Sequence, residues 1–216
     1  MEINLLDLLP QTKRDPKARA AAKTAEDRMI AKRFDKDFFD GDRRHGYGGY
    51  HYDGRWLPVA QRIIDYYQLP ADARILDIGA GKGFLMHDFL QLLPQASVRG
   101  LEVSQYAKEN AYGEMGGLID LGSAEHLPYD DKSFDLVISI NSIHNLPPDL
   151  CKQALREIER VSRAHKYVTL DAWRNEEEHQ ALLDWILTAE TYMSVDDWVK
   201  LFNEVGYTGD YWWFIP

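Results

Sequence analysis

Three glycines at alternate positions, Gly79, Gly81 and Gly83, follow Asp77 in the run DIGAGKG. A turn of this kind lets the backbone fold tightly and approach a ligand closely, because no side chain intervenes. Phe84 stands where a dinucleotide-binding turn carries its third glycine, which disfavours a nicotinamide or flavin dinucleotide. Asp77 would repel a pyrophosphate and suits a ligand with a positive charge. Glu102 follows Gly81 by 21 residues, and a carboxylate at that distance can accept hydrogen bonds from both hydroxyls of a ribose. Two further groups could move protons. His144 and Asp171 each lie just past an apolar, strand-like run, and either could act as a general base or merely orient its turn.

These residues require a scaffold that brings strand ends together. Apolar runs rich in β-branched residues predict strands at Arg74–Ile78, Ser97–Val103, Gly117–Leu121, Phe134–Ile140 and Tyr167–Leu170, with one more within Tyr207–Phe214. Helical spacing of apolar residues predicts helices between them, punctuated by Pro58, Pro70, Pro94 and Pro147 and stopped at Gly206. Strand and helix alternate at crossover spacing, which implies a mostly parallel α/β sheet with helices on both faces. In such folds the ligand sits at the carboxyl ends of the strands.

The segments LDIGAGKG, LEV, SAEHLPYDDKSFD, LVISI and NSIHNL, in that order over residues 72–172, resemble the class I S-adenosylmethionine-dependent methyltransferases, and more narrowly their ubiquinone/menaquinone-type small-molecule branch. The resemblance implies a Rossmann-like fold and S-adenosylmethionine as cofactor, with no metal. It implies that Asp77 holds the cofactor's amino group, that Gly79, Ala80 and Gly81 pass under its methionine part, and that Glu102 takes the ribose. Ser123 and Ala124 border the adenine, and Asn141 lies near the reactive methyl. Ser123 departs from the family's usual Asp, which weakens the expected contact to the adenine. The family closes its sheet with a C-terminal strand pair, for which too few residues follow Gly206. A shortened pair leaves an exposed edge that a second subunit could cover, giving a homodimer.

Residues 1–56 read as a helical segment and an aromatic-rich lid ahead of a methyltransferase domain at 57–216, the whole forming one globular unit. Within FDKDFFDGDRRHGYGGYHYDGRW, aromatic residues interleave with glycines, the composition of a packed cap or a mobile lid. Tyr47, Tyr50, Tyr52, Arg55 and Trp56 are the candidates for lining a substrate pocket, with Arg55 pairing an acidic group. Trp173, after the fifth strand, joins them.

Composition narrows the partners. Lys and Arg number 25 against 35 Asp and Glu, a net charge of −10, the wrong sign for binding nucleic acid through the bulk field. The residues between Lys13 and Arg33 are locally basic and Ala-rich. They read as a solvated helix, or alternatively as the docking arm of a protein or RNA methyltransferase. One cysteine excludes an internal disulfide framework. No run spans a bilayer and no leader is evident at MEINLLDLLP, so a cytoplasmic location is expected. The resulting expectation is O- or N-methylation of a small molecule, such as a sugar or amino sugar of a biosynthetic pathway. The alternatives are the docking enzyme and a non-catalytic cofactor-binding module.

Overall fold

Short apolar runs bounded by turn residues pair edge to edge into one parallel sheet. The structure, a computed structural model, describes residues 1–10 and 14–216. The strands are β1 (Arg74–Ile78), β2 (Ser97–Glu102), β3 (Ile119–Leu121), β4 (Phe134–Ile140), β5 (Ser162–Trp173), β6 (Met193–Ser194) and β7 (Asp210–Phe214). Their spatial order is β3-β2-β1-β4-β5. Both β7, along Tyr167–Asp171, and β6, at Ala172 and Trp173, pair with the outer side of β5, and every pairing is parallel. The direction of winding reverses between β1 and β4, so a crevice opens at the carboxyl ends of those two strands.

Side chains alternate across the sheet and feed two cores. Ile75, Leu136 and Ile138 pack with α4 (Leu57–Tyr67) and α5 (Phe84–Leu92). Leu76, Ile78 and Val137 pack with α7 (Pro148–Val161) and α9 (Val195–Val205). The C-terminal strands are short, as expected. The outer edge is not left bare, however: Tyr211 N–H donates to Met1 O at 3.0 Å and Ile3 N–H donates to Tyr211 O at 2.9 Å.

The N-terminal basic segment is not one helix. Lys13 lies outside the described residues. Beyond it come α1 (Pro16–Ala22) and α2 (Ala25–Ala31), separated because Thr24 caps the second helix in a reciprocal box with Asp27. The basic side chains converge on the end of α8 (Glu176–Trp185). Arg19 Nε and Lys23 Nζ both donate to Trp185 O at 2.9 Å. Lys23 Nζ and Arg28 Nη1 donate to Ile186 O at 2.6 and 2.9 Å. Carbonyls at a helix C-terminus carry its partial negative charge, so these cations cap α8 rather than face solvent freely. No described helix is long and apolar enough to cross a membrane.

Candidate active site

The turn after β1 is shaped by what surrounds it. Gly79 has φ of +78°, and a Cβ there would lie 2.1 Å from Ser142 Oγ, so only glycine fits. The N–H groups of Gly79 and Ala80 both donate to Leu101 O, at 2.8 and 3.1 Å, pinning the turn to β2. Glu102, at the end of β2, closes the same corner. Its Oε2 accepts from Gly81 N–H at 2.7 Å and its Oε1 from Ser104 N–H at 2.9 Å.

Two carboxylates are therefore buried side by side. No hydrogen bond reaches the Asp77 carboxylate from the described residues, and burial, with Glu102 nearby, pushes it up to about 7. Burial also raises Glu102, opposed by the N–H groups of Ser104 and Gly81. An unpaired buried carboxylate beside a second one is a socket for a cationic group.

Above this corner lies an open cleft. Gly79, Gly81, Glu102, Ser123, Ala124 and Asn141 line it. Asp77 and Ala80 are not among the lining residues; Asp77 is buried and Ala80 packs into the core. Asn141 leaves β4 with φ of +51°, a conformation that asparagine tolerates better than most residues. Its N–H donates to Thr169 Oγ1 at 2.9 Å, and the Thr169 hydroxyl donates to its Oδ1 at 2.9 Å. Ser123 hydrogen-bonds Glu125. Among the described residues no three His, Cys, Asp or Glu side chains gather as a metal ion would need.

The wall facing the turn comes from the first half of the aromatic segment. Phe34, Phe38, Phe39, Tyr47 and Tyr50 line the cleft. Tyr50 stacks on Tyr47 at 4.1 Å and on Phe84 at 4.5 Å, so the residue that replaces a third glycine supports the wall. The loop folds back on α3 (Lys36–Asp40) through Tyr47 N–H to Phe38 O at 2.8 Å and Gly49 N–H to Phe39 O at 3.1 Å. A buried ion pair fastens it to the floor: Lys82 Nζ lies 2.6 Å from Asp40 Oδ2 and donates to Tyr50 O at 3.0 Å. The Tyr106 hydroxyl donates to Asp40 at 2.7 Å. Burial alone would raise Asp40, yet these hydrogen bonds hold it down at about 2.

The second half of the segment does not line the cleft. The Tyr52 hydroxyl donates to Asp88 Oδ1 at 2.6 Å, and its ring stacks on Tyr112, so a buried acid of α5 draws it away. Arg55 forms an exposed pair with Asp53 and is not among the residues lining the cleft. Trp56 begins α4 and packs on the core. Trp173 stacks on His179 at 4.1 Å. His144 and Asp171 face each other and not the cleft: Asp171 N–H donates to His144 Nδ1 at 3.3 Å, and Asp171 Oδ1 lies 3.7 Å from the same nitrogen. Both are buried beneath the Ile143–Leu146 rim, placed to orient that rim rather than to touch a reactant.

Sequence reasoning noted the phenylalanines at 34, 38 and 39 without placing them in the site, read Asn145 with the prolines after it only as a helix start, and passed over Lys82 and Asp40. Lys82 carried a signal, since a lysine among three glycines invites the question of its counter-ion.

Residues 76–170 match the family described as a methyltransferase domain. The chain is 27% identical over 127 residues to the Bacillus subtilis protein YrhH, covering 56% of this chain and 69% of YrhH. It is 32% identical over 112 residues to the methyltransferase GfsG of Streptomyces halstedii, covering 49% of this chain and 39% of GfsG. The crystal structure of YcgJ from Bacillus subtilis superposes with a TM-score of 0.52 at 23% identity, covering 68% of this chain and 66% of that one, a likeness of fold. The stretch similar to methyltransferase domains therefore lies on a parallel sheet whose first turn carries the glycines and the paired carboxylates.

Proposed function

We propose that this protein transfers a methyl group from S-adenosylmethionine to a small-molecule acceptor, within the branch that SAEHLPYDDKSFD resembles. The observation that carries the reading is the pair of buried carboxylates at the glycine turn, one of them, Asp77, without a hydrogen-bond donor among the described residues. Asp77 would hold the amino group of the methionine part. Glu102, whose two oxygens keep acceptor capacity beyond the backbone bonds they take, would receive the ribose hydroxyls. Ser123 and Ala124 would flank the base, and Asn141 would stand beside the methyl. When bound, the cofactor supplies an electrophilic methyl on a cationic sulfur; the residues of the chain position it and exclude water.

The aromatic cover favours an enclosed metabolite over a polymer. The docking-arm alternative is weakened because Arg19, Lys23 and Arg28 already bind the carbonyls of Trp185 and Ile186. Calorimetry tests the reading: S-adenosylhomocysteine binds and NADH does not. Binding of NADH in its place would refute it.

A further inference from the structure

The methionine half of S-adenosylmethionine carries a carboxylate on the same carbon as its amino group. With the amino group on Asp77, that carboxylate also lies at the glycine turn, and it needs a hydrogen-bond donor there. The lining glycines have no N–H to spare: Gly79 donates to Leu101 O and Gly81 to Glu102. The nearby cation is spent as well. Lys82 Nζ donates to Asp40 Oδ1 and Oδ2 at 2.9 and 2.6 Å and to Tyr50 O at 3.0 Å, which uses all the protons of an ammonium. No Lys, Arg or His stands among the described residues that line the cleft.

One neutral donor reaches across the turn from the opposite wall. A Cβ on Gly81 would lie 3.3 Å from Tyr50 Cε1 and 3.8 Å from the Tyr50 hydroxyl oxygen. The ring is held between Tyr47 and Phe84, and the Tyr50 N–H donates to Asp40 Oδ1 at 3.0 Å. The hydroxyl itself has no hydrogen-bond partner among the described residues. We propose that Tyr50 is a cofactor-binding residue, its hydroxyl donating to the carboxylate of the methionine half. This rests on the methyl-transfer reading and adds a contact from the aromatic wall to those from the sheet. Burial, with Tyr47, Asp77 and Glu102 nearby, pushes the Tyr50 phenol well above its ordinary range, so it stays protonated and can only donate to an anion. Ser142 Oγ is the other hydroxyl at the turn, set against Gly79; a phenol is the stronger donor.

The test is calorimetry on the whole protein with two probes that differ by one group: S-adenosylhomocysteine and S-adenosyl-3-thiopropylamine, the same molecule without its carboxylate. Tyr50→Phe keeps the ring and its stacking and removes only the hydroxyl. It is expected to weaken the homocysteine about tenfold while the thiopropylamine stays within about twofold. Ser142→Ala should leave the ratio of the two affinities unchanged. Equal losses for both probes in Tyr50→Phe would make the ring a packing group alone and overturn the proposal. So would unchanged affinity for both, or a ratio that shifts in Ser142→Ala and not in Tyr50→Phe. In each of those cases the unsubstituted protein still binds the homocysteine and the cofactor reading stands. If the unsubstituted protein binds neither probe, that reading falls and this proposal falls with it.

Discussion

On the sheet side of the cleft, positions are set by backbone. Gly79 is wedged against Ser142, two N–H groups share Leu101 O, and Glu102 is clasped by Gly81 and Ser104. On the opposite side, positions are set by rings: Tyr47 on Tyr50, Tyr50 on Phe84, Phe38 edge-on to Phe34 and Phe39. Hydrogen bonds to a buried turn fix direction as well as distance, whereas ring contacts tolerate sliding. The sheet side therefore holds a charged ligand in one pose, and the aromatic side can adapt to what it covers. The Lys82–Asp40 pair ties the two, and Lys82 also donates to Tyr50 O.

Substitutions can separate the two sides. The largest effect is expected from Glu102→Ala, which removes charge-assisted hydrogen bonds and should weaken S-adenosylhomocysteine binding by about 1.5–3 kcal/mol in calorimetry. An unchanged affinity would mean that the sheet side does not anchor the ligand.

The next effect is one of pH. Asp77 is pushed up to about 7 in the free protein, and a cationic amino group binds its ionised form, so binding must expel a proton. Affinity should fall as pH drops through about 7, approaching tenfold per unit below it, and Asp77→Asn should flatten that slope. A flat profile in the unsubstituted protein would remove Asp77 from the contact.

Asp40→Asn tests the tie. Losing the ion pair leaves the buried Lys82 without its counter-charge. The homocysteine should dissociate several-fold faster in stopped-flow, with a smaller loss of affinity than Glu102→Ala produces. Arg55→Ala should do least: its partner Asp53 is exposed beside it, so melting temperature and turnover should stay within error, a change under about 0.5 kcal/mol.

The same contrast explains what could be read from the sequence. Glycine leaves a mark wherever the backbone must turn left-handed against a neighbour, so Gly79 and Gly81 announced the turn. Strand periodicity then placed Glu102 and Asn141 at the strand ends. Aromatic packing leaves no comparable period. The segment from Phe34 to Trp56 is uniform in composition, and nothing in it separated the rings that face the cleft from Tyr52, which follows the buried Asp88, or Arg55, which follows Asp53. His144 and Asp171 were drawn to the right edge of the sheet, but the side of the rim on which they lie depends on the packing around Trp198, whose indole N–H donates to Asp171 O at 3.0 Å. The basic segment looked like a free arm because its partners are carbonyls more than 150 residues away, which carry no sequence signature.

The contact between Met1, Ile3 and Tyr211 has a bearing on how the molecule keeps to itself. An outermost strand with idle amides is a template on which a foreign strand can grow, the first step toward fibres. Here the beginning of β7 is already engaged by the chain's own first residues, so the sheet ends in a local stitch rather than an open ladder rung.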